Sequence, residues 1–143
     1  MSDDFVAEAE VEIDSPPEDV WAALVEPDQI EQYMFGGPRV ETDWEVGHAI
    51  TWSGEWKGTK YEDKGEILEF QPQKRLQYSH FSPISGLPDV PESYHTVTID
   101  LSANDGTTNV RLLQDNNPSD GARSHSQDNW QDILDALKEH VEA

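Results

Sequence analysis

At 143 residues the chain is long enough for one domain with a single core. Its 30 acidic residues against 9 Lys and Arg give a net charge of −21, which excludes the basic patch that a nucleic acid or an anionic lipid surface needs. The absence of cysteine excludes disulfide frameworks, thiolate metal sites and cysteine catalysis.

Acidic chains are often disordered when aromatics are few and periodicity is absent. Here there are 5 Trp, 4 Tyr and 4 Phe, and the apolar pattern is regular. The acids are spread over the whole chain, as in proteins of salt-in halophilic archaea, which such a composition resembles. Self-repulsion in so acidic a domain is relieved by salt. No apolar run reaches the length of a membrane span, and the start, MSDDF, is acidic where a secretory leader is basic. The expectation is a soluble, cytoplasmic protein.

In chain order, Phe5, Ala7, Ala9, Val11 and Ile13 alternate with Glu8, Glu10 and Glu12, the mark of a strand with one dry face. Ser15, Pro16 and Glu18 then read as N-cap, first helical position and third position of a capping box. The helix they open runs from Pro16 to about Val25, with Val20, Trp21 and Leu24 on its apolar stripe. Pro27 breaks it, Asp28–Tyr33 makes a short second helix, and Gly36-Gly37-Pro38 ends that region.

Strands follow at Arg39–Trp44, His48–Trp56, Thr59–Phe70, Arg75–Ser82, Ser93–Ser102 and Thr107–Gln114. Turns fall at Glu45-Val46-Gly47, Lys57-Gly58, Gln71-Pro72-Gln73 and Asn104-Asp105-Gly106, the last a strong hairpin signal. Gly65 marks a bulge in the long third strand of this series. Ser82–Glu92, with prolines at 83, 88 and 91, is longer than a hairpin needs. From Ser119 the pattern turns helical. Trp130, Ile133, Leu134, Leu137 and Val141 share a stripe, with Gln131, Asp132, Asp135 and Glu139 opposite.

A meander of strands with an apolar inner face must be covered, and the long last helix is the only element large enough. The predicted fold is α+β, a curved antiparallel sheet of six to seven strands wrapped around a long C-terminal helix, in a single domain spanning residues 1–143.

Several residues carry a family resemblance. The entry motif is Ile13, Ser15, Pro16, Val20, Trp21, Leu24 and Pro27. Gly65, Ile67, Glu69 and Pro72, followed by Leu76, fit a Gly-x-(Ile/Val)-x-Glu-x-x-Pro pattern. Gly106-Thr107 precede Val110 and Leu112, and Trp130, Leu134 and Leu137 lie on the last helix. In these the chain resembles the START-like (SRPBCC) superfamily and its Aha1-type branch, activator of Hsp90 ATPase homologue 1-like. Asn129 stands where that branch usually has glycine. The resemblance implies the helix-grip (START/Bet v 1-like) fold and a cavity between sheet and helix that takes a hydrophobic small molecule.

The expected ligand-lining residues are Phe35, Trp52, Trp56, Tyr78, His80, His95 and Trp130, with the Ser82–Glu92 loop near the mouth. Buried aromatics more commonly fill a core, so some of these are expected to be core and some cavity. Trp21 and Trp44 read as structural. His80 and His95 flank the proline loop and can meet across paired strands, where neutral imidazoles hydrogen-bond a ligand or move a proton. The alternative is two strand-end histidines near solvent. Glu62, Asp63, Glu66 and Glu69 read mostly as a solvated face, and Asp100 as facing water.

No histidine pair has metal-ligand spacing, so no metal is expected. There is no nucleophile elbow, phosphate loop or dinucleotide fingerprint, hence no catalytic residue is assigned and no cofactor is expected. The leading expectation is therefore a non-enzymatic binder of a small hydrophobic ligand, a monomer or weak dimer. Two alternatives stand beside it: a co-chaperone or stress-response module with a chaperone partner, implied by the family name, and a cyclase- or hydrolase-like enzyme using a cavity histidine or carboxylate.

Overall fold

The computed structural model describes residues 5–33, 39–56, 58–83, 88–117 and 119–142, apart from the side chain of Trp56. The elements are β1 (Phe5–Ile13), α1 (Pro17–Val25), α2 (Pro27–Tyr33), β2 (Arg39–Glu41), β3 (Ala49–Trp56), β4 (Thr59–Gln71), β5 (Arg75–His80), β6 (His95–Asn104), β7 (Thr107–Asn117) and α3 (Asp120–Glu142). The strands form one antiparallel sheet in the order β1-β7-β6-β5-β4-β3-β2. Strands β2 to β7 are a meander, and β1 closes onto β7. This is the helix-grip arrangement.

The core lies on one face of the sheet. Alternation puts Ile13, Ile50, Ile67, Leu76, Val97, Val110 and Leu112 there, all 2% exposed or less. Val20 and Leu24 of α1, Ile30 of α2 and Leu134 and Leu137 of α3 close over them. Asp105 and Gly106 both have positive φ, at 49° and 87°, so the β6–β7 connection is the tight hairpin turn that Asn-Asp-Gly predicts. On the outward face Asp100 meets Arg75 through two hydrogen bonds, at 2.6 and 3.2 Å.

Some boundaries differ from the sequence reading, each for a local reason. Pro16, not Ser15, is the N-cap of α1, and no side chain caps that end. The Ser15 hydroxyl donates to Asp19 Oδ2 at 3.0 Å instead of accepting a helix N–H, so the capping box does not form. Strand β2 stops at Glu41 rather than Trp44, because the Thr42 hydroxyl turns to the Ala49 carbonyl and Trp44 takes a φ of 62°. Strand β6 begins at His95, after a 3₁₀ turn at Pro91–Ser93. Strand β7 runs on to Asn117, opposite Phe5.

Gly65 is not the bulge. The register of β4 on β5 shifts between Ile67 and Glu69, while β3 and β4 pair without interruption through Gly65. What Gly65 provides is close approach. A Cβ there would lie 1.7 Å from the backbone oxygen of Ser79 on β5, so no larger residue fits unless the strands move.

Helix α3 also seals an edge. Strand β1 is the first in the sheet and, among the described residues, has no strand on its outer side. Its outward backbone groups meet side chains of α3 instead. Glu8 N–H donates to Gln127 Oε1, Glu10 N–H to Gln131 Oε1, and Asp14 N–H to Glu142 Oε2. In return Gln131 Nε2 donates to the Glu10 carbonyl and Lys138 Nζ to the Glu12 carbonyl. A helix lying along the strand therefore satisfies an edge that would otherwise invite pairing with another chain.

Candidate ligand site on the inner sheet face

Residues opposite one another in an antiparallel pair present their side chains on the same face. Trp52 is opposite Asp63, Ile67 opposite Tyr78, Tyr78 opposite Val97, His80 opposite His95 and Val97 opposite Gln114. Four of the expected ligand residues, Trp52, Tyr78, His80 and His95, thus share the core face. The Trp52 ring centroid is 5.1 Å from those of both Tyr78 and His80, and its plane is steeply inclined to the imidazole.

Asp63 joins them, against the expectation of a solvated face. Its Oδ2 lies 2.9 Å from His80 Nε2, and the two side chains are only 17% and 28% exposed. The signal was in the parity of the strand, because Tyr61, Asp63 and Gly65 alternate in step with the buried Ile67. Tyr61 reports the same neighbourhood. Its phenol pKa is raised, first by burial and then by the charge of Asp63. Asp63 Oδ1 is buried and has no hydrogen-bond partner among the described residues.

The network fixes which imidazole nitrogen carries the proton. His80 Nε2 faces a carboxylate, so it donates. His95 Nδ1 faces the Asp115 carbonyl at 2.9 Å, so it donates too. Each neutral ring then keeps its other nitrogen as an acceptor. Trp130, half-buried on α3, donates its indole N–H to Oε1 of the buried Gln114. This bond ties the helix to β7 at the margin of the same face. An oriented Asp–His pair can also accept a proton from a bound molecule.

The model of one family, activator of Hsp90 ATPase homolog 1-like protein, matches residues 14–142. The chain belongs to that family. Among solved structures, this Aha1-like chain is similar to a protein of Cytophaga hutchinsonii, with 50% identity and a TM-score of 0.84 over 96% of this chain and 93% of that one. It is similar as well to a protein of Mesorhizobium loti, at 25% identity and TM-score 0.76, covering 96% of each. Ara h 8.0201 shares the fold at 14% identity and TM-score 0.73, over 97% of this chain and 98% of that one. No curated protein matches the chain.

Phe35 lies outside the described residues, as does the side chain of Trp56, whose backbone ends β3. Trp52 and Tyr78 pack as core. The space they share with Leu24, Ile30, Tyr33 and Trp44 is about 20 Å³, the room of a single water. Burial pushes the Tyr78 phenol well above its ordinary pKa, which keeps it protonated. Trp44 lines this space and packs on Phe70 with ring centroids 5.8 Å apart, and Trp21 meets the same Phe70 edge-on.

Of the proline loop, Ser82, Pro83 and 88–92 are described, and Asp89, Val90 and Pro91 lie over the outward face of β4 and β5, where Lys64, Glu66 and Ser79 project. Lys64 pairs with Asp89, the Tyr94 hydroxyl donates to Asp89 Oδ1 at 2.6 Å, and Tyr94 stacks on the buried Phe81. These contacts draw the segment away from the inner face and leave an open cleft of about 480 Å³.

A histidine also groups with two carboxylates elsewhere in the fold. At the β2–β3 connection, donor atoms of Asp43, Glu45 and His48 lie within 4.8 Å of one another, all exposed. They form an ion-pair cluster in which His48 Nδ1 is 2.6 Å from Asp43 Oδ2. The hydrogen bond from His48 lowers the Asp43 pKa, and the same bond raises that of His48.

Proposed function

We propose that this Aha1-like domain binds a small, largely hydrophobic molecule on the inner face of its sheet, near Trp52, His80, His95 and Trp130. The supporting observation is the setting of a few oriented polar groups among aromatic walls. The Asp63–His80 pair, His95 and Gln114 share one face with Trp52 and Tyr78, the composition expected of a small-molecule site. Affinity comes from the apolar walls, and the polar groups orient the ligand. The 20 Å³ left beside Trp52 and Tyr78 means that binding shifts side chains rather than filling a ready void.

The test is a backbone amide NMR titration in high salt against fatty acids, isoprenoids, sterol-like and aromatic compounds. Saturable shifts clustered on β4 to β7 and around Trp130 support the reading and name the ligand class. A silent panel over a well-dispersed spectrum refutes it and moves the function to protein–protein contact, the role that the family's name carries.

A further inference from the structure

This inference rests on the binding reading and sharpens it. We propose that the ligand's polar end is a hydrogen-bond donor, a hydroxyl or an amine, held by Asp63 and His80, and that ligands headed by a carboxylate are rejected.

Unmatched lone pairs mark the site. Asp63 Oδ2 accepts from His80 Nε2, while Oδ1 is buried with no donor among the described residues. Buried polar atoms in folded proteins almost always have a partner, and one left without costs about 1–3 kcal/mol or more if charged. With its Nε2 proton committed to Asp63, a neutral His80 has only an acceptor to offer. The same holds for His95, opposite it on β6, whose Nδ1 proton is committed to the Asp115 carbonyl. What the Asp63–His80 pair and His95 leave open are therefore acceptors, first among them the buried Oδ1 of Asp63. The nearest strand cation in sequence, Lys64, projects from the other face and is paired with Asp89.

A hydroxyl or ammonium group supplies the missing donor. A carboxylate would set its own lone pairs against those of Asp63, in a chain already at −21. Discrimination of this kind is large, because a mismatched ligand leaves buried polar groups unpaired on both sides.

The experiment uses octanol, octylamine and octanoate, which share one apolar tail and differ in the head. Each is titrated into the labelled full chain in molar KCl at about pH 8, above the ordinary imidazole range. The expected result is that octanol and octylamine bind roughly tenfold or more tighter than octanoate, with the largest shifts at the Asp63 and His80 amides. In Asp63→Asn, which keeps the shape but supplies a donor of its own, that preference should collapse to within about threefold. The wild-type ranking stands without the variant, should the variant fail to fold. Octanoate binding as tightly as the other two overturns the inference and leaves the binding reading intact. A series that moves no amide overturns both.

Discussion

Gly65→Ala tests the geometry of the β4–β5 contact most directly. The added methyl would sit 1.7 Å from the Ser79 oxygen and 2.6 Å from its carbonyl carbon. Both are backbone atoms, so no rotamer change relieves the clash. An ordinary contact needs about 3.4 Å or more, so β5 must retreat by more than an ångström. That movement stretches the neighbouring hydrogen bonds between Lys64 and Phe81, now 2.9 and 2.7 Å. Two backbone bonds at about 1 kcal/mol each, with about 1–3 kcal/mol of overpacking strain, give a loss of about 3–5 kcal/mol. Gly54→Ala is the internal control. Its nearest neighbour is the Tyr61 hydroxyl at 2.9 Å, the end of a side chain that can swing aside, and the expected cost is below about 1.5 kcal/mol. Urea unfolding at fixed high salt, followed by tryptophan fluorescence, gives both values. A Gly65→Ala loss under about 1 kcal/mol, or a Gly54→Ala loss as large as that at Gly65, would refute the reasoning.

Three further outcomes are expected. Gln131→Ala removes both contacts to Glu10 and should cost about 1 kcal/mol, with faster hydrogen exchange of the Glu10 amide; unchanged exchange would mean that the edge is not sealed by the helix. The folded pKa of His48 lies above its ordinary 6.5, so the contribution of its pair with Asp43 is complete below pH 6.5 and fades as pH rises through the folded value. The folded pKa of Asp43 lies below its ordinary 3.8, so on the acid side the contribution is complete above pH 3.8 and fades as pH falls through the folded value. NMR titration should show a His48 midpoint above 6.5 that falls in Asp43→Asn, and a midpoint indifferent to that change would contradict the contact. The thermal midpoint should rise markedly from dilute buffer to molar KCl, since salt screens the self-repulsion of a chain at −21, and a flat profile would remove the halophilic reading.

Much of the fold is legible because alternation and helical periodicity report burial directly. The dry stripe of β1, the Asn-Asp-Gly hairpin and the Leu134–Leu137 face of α3 all express a single local pattern. The site is less legible because its decisive features depend on partners distant in sequence. Asp63 looks solvated by residue type, and only its parity with Ile67 places it inside. Ser15 reads as a cap from its neighbours, yet its hydroxyl finds Asp19. The segment from Asp89 to Tyr94 lies on the outward face because Lys64 and Phe81 offer it an ion pair and a stacking surface, neither of which can be read from the loop's own prolines. Gln131 reads as part of the polar face of its helix, which is correct by polarity, but the pattern does not reveal that this margin faces a strand edge.

The partnership between that edge and α3 has a consequence for biosynthesis. Strand β1 leaves the ribosome ahead of the residues that shelter its outer backbone, from Gln127 to Glu142, which follow more than a hundred positions later. Its strand partner, β7, is almost as late. Until those segments emerge, therefore, β1 has neither its pairing nor its cover. Its glutamates at 8, 10 and 12 are the protection available in that interval, since like charges on adjacent nascent chains oppose register between them.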